Sequence, residues 1–574
     1  MAKGIELKDV RKQYTLDQDK VRGPKETVAW VLDRFDRLEQ PILEGVRRID
    51  SGRLNIPVFV SRCAPGATLY TGTPKQMGKG ATPEQAKASA LMELAERFSF
   101  FHFLKTSDFQ RMRAADLTGP IMPLVELCQA VHHPVADWER AEKFLAEVPL
   151  AWTEATCLTT GQTELIPLSW FYAINEFNGP AAGNCLEEAV LQALCEVIER
   201  HVSALTWRER LSTPEIDPDS IDDPVAVELL GKFAAQGVQV KVLDYSLKTG
   251  VPSVGAIAWD PATFPQESEI VYTSGTATSP AKALIRALTE IAQLAGDFNR
   301  KTEYVVSALP KFKSLAEADY VLQTTGRVAL PDLPDISDDN LRLEIERGVT
   351  ALSRLGLNVY VVDVTHPVLD VPAVYVIIPG AHFSDRTFDT SVPYHAGRLL
   401  VQGDGAAGAA ELLGELQAAY PDTVYLPFFE GLSLMARGEY EAALNRLDLA
   451  ESRLPADDEL TAILVQRAIC LREMERYKDA VDVLARAKGL DPSQKEIFQQ
   501  EGVCLFKLGY YEAAIESFAR AIQIDHGSAI DYANIGVNLA RLGRLDEARQ
   551  MLESALELDP GLDFARERLA ELGT

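Results

Sequence analysis

The sequence predicts an α+β body followed by an all-α repeat solenoid, and three observations carry that prediction. Residues 45–400 mix short Val/Ile-rich runs with long helical windows. Residues 424–574 repeat themselves at a spacing of 34 residues. Between them, 401–423 (VQGDGAAGAAELLGELQAAYPDT) opens Gly/Ala-rich, as a linker running into a short helix would.

Composition narrows the function classes. The chain has 574 residues, room for about two to four domains. Hydrophobic residues make up 47% and charged residues 25%, which is ordinary for a globular protein with ample core material. The formal net charge of -27 would repel a phosphate backbone on average, which argues against generic nucleic-acid binding. Seven cysteines with no C-x-x-C pair argue against a disulfide framework and against a Cys-rich zinc site. The start, MAKGIELKDVRKQY, lacks an apolar signal core, and no run reaches the ~18 apolar residues of a membrane span. A reducing cytoplasm and no membrane partner are expected.

Residues 1–44 are too short for a domain of their own and are expected to join the body. The first helical window, 85–105 (QAKASALMELAERFSFFHFLK), is apolar nearly all round and therefore expected to be buried. Yet it carries Ser89, Glu93, Glu96 and Arg97 at i, i+4, i+7 and i+8, a single stripe. A second window, 187–202, repeats the pattern with Gln192, Glu196, Glu199 and Arg200. A third, 280–293, sets Arg286, Glu290 and Gln293 at i, i+4 and i+7.

Five glutamates in partly buried positions need cations, since an isolated buried carboxylate costs several kcal/mol. Three arginines supply part of the charge, and hard divalent ions such as magnesium would complete it. Arg97, Arg200 and Arg286 then suit phosphate, which guanidinium grips bidentately. Met77-Gly78-Lys79-Gly80 and Asn178–Asn184 read as glycine loops before the first two helices, where backbone can approach a ligand and Lys79 can meet a phosphate. There is no G-x-x-x-x-G-K-S/T loop and no kinase H-R-D set. Short segments at Asn358–Val364 and Val371–Ile378 read as strands. Cys185, Cys195, Cys470 and Cys504 lie in apolar patterns and read as core. His201 reads as a packed helix-end histidine; His366 and His382 show no pairing, and His132-His133 sits in a loop-like stretch.

In the C-terminal part, Tyr477, Tyr511 and Leu545 recur at the period, as do Ala480, Ala514 and Ala548. Gly502 and Gly536 match, and an earlier unit holds Gly438, Tyr440 and Ala443. This resembles the tetratricopeptide repeat, in close to four copies. Such repeats either stabilise and dimerise an enzyme or present a concave groove to a peptide or protein.

The body resembles the YcaO family. The resemblance rests on G-K-G-A-T…S-A-L-M-E-L-A-E-R (78–97), N-G-P-A-A-G-N…E-E-A-V-L-Q-A-L-C-E-V-I-E-R (178–200), R-A-L-T-E-I-A-Q (286–293) and P-A-V-Y-V-I-I-P-G (372–380). It implies ATP and Mg2+ as cofactors, bound without a P-loop. By position it implies nucleotide contacts at Lys79, Ser89, Asn184, Gln192 and Arg286, with Arg97 and Arg200 orienting carboxylates or phosphates. Glu93, Glu96, Glu196, Glu199 and Glu290 are implied as magnesium ligands or their supports. K-V-R-G-P-K-E-T (20–27) resembles a family segment that reaches phosphate, adding Arg22 and Lys25.

The implied reaction is phosphorylation of an amide oxygen, then nucleophilic attack at the activated carbon. A neighbouring Cys, Ser or Thr gives an azoline; sulfide gives a thioamide. No recognition domain precedes residue 45 and the chain ends A-E-L-G-T, unlike a proline-rich tail, so an activating enzyme outside classical azoline synthesis is expected. Azoline synthesis with a separate recognition partner, support of ribosomal-protein methylthiolation, a plain ATP hydrolase or kinase, and a nucleotide-binding repeat scaffold are the alternatives. A TfuA-like sulfur donor and a homodimer are the implied partners.

Overall fold

A computed structural model describes residues 4–131, 137–298, 312–383, 391–421, 423–453, 457–525 and 527–573. His132 and His133 lie outside the described residues. By internal packing the chain divides into two units: 1–138 with 149–391, and 139–148 with 392–574. The division at Ser391 falls nine residues before the boundary expected at 400.

The strands of the first unit run in chain order as β1 (Leu43–Arg48), β2 (Val58–Cys63), β3 (Lys75–Lys79), β4 (Arg111–Met112), β5 (Leu150–Cys157), β6 (Gln162–Pro167), β7 (Pro180–Ala182), β8 (Glu215–Ile216), β9 (Gln239–Asp244), β10 (Ser253–Trp259), β11 (Val271–Thr276), β12 (Arg327–Val328), β13 (Tyr360–Asp363) and β14 (Ala373–Ile377). They form three sheets, ordered β1-β2-β3, β11-β10-β9-β8-β12 and β4-β5-β13-β14-β7, with β6 paired to β5. All pairings are antiparallel except β8 with β12. The two expected C-terminal strands are β13 and β14, each a little shorter than predicted. Every residue of β14 is buried, as a central strand covered on both faces requires.

Each motif helix lies on a different sheet. The first, Pro83–Thr106, packs on β2 and β3; the second, Leu186–Arg208, on β7 and β14; the third, Pro280–Ala295, on β10 and β11. Their starts are encoded locally. The Thr82 hydroxyl accepts the Gln85 N–H at 3.2 Å with Pro83 in the first turn, and Pro280 opens the third helix. The second starts on Cys185, whose sulfur accepts the Glu188 N–H at 3.4 Å. It runs six residues past the predicted end, because Val202, Ala204 and Thr206 continue its buried face.

The glycines before these helices have a different purpose from the one their sequence suggests. Met77–Lys79 belongs to β3 and Pro180–Ala182 is β7, so neither stretch is a free loop. A Cβ on Gly78 would stand 2.0 Å from the Ala90 nitrogen, one on Gly183 2.4 Å from the Ala189 nitrogen, and one on Gly275 2.4 Å from the Ala283 oxygen. Each glycine lets a strand or its end touch the backbone of one motif helix. The close approach is to the protein itself.

The N-terminal segment crosses the same unit. Ile5, Leu7, Val10 and Val21 pack against its larger core. Lys12 is buried between Asp19 at 2.9 Å and Glu344 at 2.6 Å, which holds its ammonium charged.

In the second unit, helices pair as Leu426–Ala436 with Tyr440–Arg453, Asp457–Glu473 with Tyr477–Leu490, Lys495–Lys507 with Tyr511–Ile524, and Ala529–Arg541 with Leu545–Leu558; Asp563–Glu571 follows. The repeating small residues sit under large ones: Gly431 under Leu447, Gly502 against the Phe518 ring, Gly536 under Leu552. Cys470 and Cys504 are buried in these packing layers, as expected. The stretch 401–423 contains a 3-10 turn at Gly403–Gly408 and a helix at Ala410–Ala419. Among the described residues, no helix is long and apolar enough to cross a membrane.

Candidate functional site

The three polar stripes face one another across a cavity of about 210 Å3. All twelve residues expected at the site line it: Lys79, Ser89, Glu93, Glu96, Arg97, Asn184, Gln192, Glu196, Glu199, Arg200, Arg286 and Glu290. Arg22 also lines it, its guanidinium 4.4 Å over the Trp30 ring. Lys25 does not; it is exposed, 3.6 Å from Glu84.

Four of the five expected metal-binding glutamates have a cation within ion-pair distance. Lys79 contacts Glu290, Arg97 lies 3.3 Å from Glu96, Arg200 3.9 Å from Glu196 and Arg286 3.5 Å from Glu199. Glu199 also accepts the Thr276 N–H at 3.0 Å, and Arg286 donates to Gln192 at 3.1 Å. Among the described residues, no three His, Cys, Asp or Glu side chains converge as a metal-binding group. The glutamates alone therefore make no closed cage. Magnesium usually takes one or two carboxylates and completes its shell with phosphate and water oxygens.

Burial pushes the Glu93 carboxyl up and the Glu96 carboxyl well up, against the pull of Arg97. Burial, with the nearby Arg286, pushes Lys79 down to about 8. These shifts set a pH dependence. In the empty fold, the two carboxyls contribute full stability below their ordinary 4.5, and that contribution is lost as pH rises through their raised values. A bound metal needs them ionised, so binding must expel protons. Nucleotide titrations with magnesium in two buffers of different ionisation enthalpy should therefore give different heats, with affinity weakening as pH falls through the raised carboxyl range. Buffer-independent heats would remove these carboxyls from the site.

Two features test the fit to nucleotide. Among the described residues, the buried Nε atoms of Arg200 and Arg286 and one Nη of Arg22 have no hydrogen-bond partner, and phosphate oxygens would satisfy such donors. The lining also holds six carboxylates (Glu93, Glu96, Glu188, Glu196, Glu199, Glu290) against six cations (Lys20, Arg22, Lys79, Arg97, Arg200, Arg286). An ATP triphosphate carries about four negative charges near neutral pH, so two Mg2+ ions would neutralise it and leave the formally balanced lining balanced. The site fits ATP with Mg2+.

Further polar lining residues had no role assigned in the sequence, among them Glu188, Gln18 and, within the segment 20–27, Lys20 and Thr27. Glu188 accepts the Asn184 backbone and side-chain N–H at 3.2 and 2.9 Å and the Val21 N–H at 3.1 Å, with Lys20 at 3.5 Å. Thr27 donates to Asn184 at 3.0 Å. Gln18 and Lys20 come from the N-terminal segment. Glu188 left a periodic signal, since it stands four residues before Gln192 on the same stripe.

The histidines pair after all. His201 accepts the His382 N–H at 3.0 Å, and the His102 and His366 rings lie 4.2 Å apart. Burial pushes His201, His366 and His382 down to about 4, so they are neutral near pH 7. Burial pushes Cys185 and Cys195 up to about 12, so both remain thiols.

Fold and site together define an ATP- and magnesium-binding α+β protein with a helical repeat unit. A family model described as YcaO cyclodehydratase, ATP- and Mg2+-binding, matches residues 77–382, and a tetratricopeptide-repeat model matches 496–526 and 532–562. This chain belongs to the YcaO family, whose cofactors are ATP and Mg2+. An uncharacterized protein of Methanothermobacter thermautotrophicus is 30% identical over 388 residues, covering 62% of this chain and 93% of that one. An uncharacterized protein in the tfuA 3' region of Rhizobium leguminosarum bv. trifolii is 26% identical over 356 residues, covering 57% and 80%. The solved structure of YcaO from Methanopyrus kandleri, bound with AMPPCP and Mg2+, is 25% identical with a TM-score of 0.50, covering 65% of this chain and 95% of that one.

Proposed function

We propose that this chain uses ATP and Mg2+ to phosphorylate the oxygen of an amide-type carbonyl for attack by sulfur or another nucleophile, outside classical azoline synthesis. The observation that carries this reading is the convergence of three Glu/Arg stripes on one charge-balanced cavity, in a chain of the YcaO family. Bound ATP supplies the phosphoryl group, and bound Mg2+ draws charge away from it. Glu93, Glu96, Glu196, Glu199 and Glu290 hold the metal or its supports. Arg200 and Arg286 present unsatisfied donors for phosphate oxygens. Lys79, Ser89, Asn184 and Gln192 orient the nucleotide. Arg97, lodged between Glu96 and the Phe177 carbonyl, holds its carboxylate in place.

The amide oxygen leaves as part of the released phosphate, and the nucleophile takes its place on carbon. Sulfur delivery by a TfuA-like partner draws support from the relative in the tfuA 3' region. The substrate on this reading is a peptide or protein, received through the repeats, and the working form is a cytoplasmic homodimer.

Mass spectrometry of peptides from cells with and without the chain tests the reading. Replacement of an amide oxygen by sulfur is the expected change. Loss of water instead would assign azoline formation, and a hydroxyl gaining phosphate would assign a kinase.

A further inference from the structure

A strained turn stands against Arg97, one of the residues that line the cavity. Asn175–Asn178 is closed by the Asn178 N–H donating to the Asn175 carbonyl at 2.9 Å. Its first central residue is Glu176, at φ 49° and ψ -119°. That is the conformation of the first central position of a type II′ turn, where glycine is the usual occupant. The surroundings hold it there. The Asn178 side chain also donates to the Asn175 carbonyl at 2.9 Å, and the Tyr375 hydroxyl donates to the Glu176 carbonyl at 3.4 Å. Gly179 follows at φ 106°, where a Cβ would stand 2.3 Å from the Val376 oxygen.

The result of this strain is the placement of Phe177. The residue is 47% exposed, although phenylalanine is among the side chains most often buried. Its carbonyl accepts from Arg97 at 3.1 Å, and its ring centroid lies 5.4 Å from the Arg97 guanidinium. Arg97 itself lines the cavity. Backbone strain that is over-determined by its neighbours tends to mark a functional position.

We propose that Phe177 is a substrate-contacting platform, on which the planar amide of a polypeptide stacks beside the phosphoryl site. The inference rests on the reading of the chain as an amide-activating enzyme and adds the residue that meets the amide. The ring's geometry suits an sp2 amide. It is flat, the turn fixes the backbone that carries it, and the residue remains about half exposed. Stacking there would hold the carbonyl beside the arginine and carboxylates without asking any of them to bind the substrate in its ground state.

Saturation-transfer NMR tests this on the full chain, with N-acetylglycine N-methylamide as probe, at saturating AMPPCP and Mg2+. Wild type should transfer saturation to the probe. Phe177→Ala should lower the transfer about fivefold, the size of one aromatic stacking contact. Phe177→Tyr should restore it. Calorimetric AMPPCP affinity should stay within about twofold across all three, since the variants keep the carbonyl that meets Arg97. Equal transfer in wild type and Phe177→Ala, or none in wild type, overturns the proposal and leaves the nucleotide site standing. Loss of AMPPCP affinity in Phe177→Ala also overturns it, because the ring would then serve Arg97 alone. A wild type that binds no AMPPCP sinks the functional reading itself.

Discussion

Glu96→Gln should abolish magnesium-dependent ATP binding while leaving the empty protein at least as stable as wild type. Glu96 is the glutamate whose ionised form the fold penalises most visibly, because burial outweighs the favourable field of Arg97. Glutamine keeps the shape and removes the charge. The empty fold thus loses a cost, whereas a metal loses an anionic ligand it needs. Affinity should drop by about 100-fold or more, equivalent to about 3 kcal/mol. Glu199→Gln should weaken binding as strongly but with a different stability signature. Its carboxylate accepts the Thr276 N–H and neutralises Arg286. The amide oxygen can keep the first contact but cannot balance the second. Titration calorimetry with and without magnesium, paired with thermal unfolding of the empty proteins, separates these outcomes. If wild type and both variants bind ATP equally, the cavity is not the nucleotide site.

The stripe was legible because its residues contradict their surroundings. Glu93 and Glu96 stand on a helix whose neighbours Leu91, Leu94 and Phe98 are buried, so their position could be inferred from spacing alone. Glu188 obeyed the same spacing but sits in the first turn of its helix. There a carboxylate is also explained by the helix dipole, so the functional signal was masked. Gln18 and Lys20 lie on irregular backbone with no period to betray them. Phe177 precedes the glycine-rich motif by one residue, and nothing in the sequence shows that a glutamate before it adopts a glycine conformation.

The fold divided in the same way. The repeats could be read because each unit packs mainly on its neighbours, so their period and their small-under-large pairs are local. The sheets could not. β13 pairs with β5 across some two hundred residues, and β14 is buried throughout. A strand with no polar face carries no alternation from which register or partner could be read. The glycines at 78 and 183 were visible and Gly275 was not, and the backbone all three accommodate comes from that same non-local packing.

Those glycines lead to the second large effect. Gly78→Ala should both destabilise the first unit and cost it nucleotide binding. The added Cβ would meet the Ala90 nitrogen at 2.0 Å, the Ala86 oxygen at 2.4 Å and the Ala90 Cα at 2.6 Å. All three are helix backbone, which cannot rotate aside as a side chain would. Ordinary contact begins near 3.4 Å, so strand and helix must separate by about 1.4 Å. Overpacking of this kind costs about 3 kcal/mol. Functional loss follows from the next residue, Lys79, which reaches Glu290 on the third motif helix. Moving β3 moves Lys79 and so disturbs two of the three helices that frame the cavity. Gly45→Ala is the matched control: it also lies in this sheet, and its Cβ would meet nothing within 4 Å. Denaturant unfolding and ATP calorimetry should show Gly78→Ala impaired in both and Gly45→Ala within about 0.5 kcal/mol of wild type. Equal behaviour of the two variants would mean that β3 is free to shift. The contact of sheet and helix backbone would then have no part in holding the cavity.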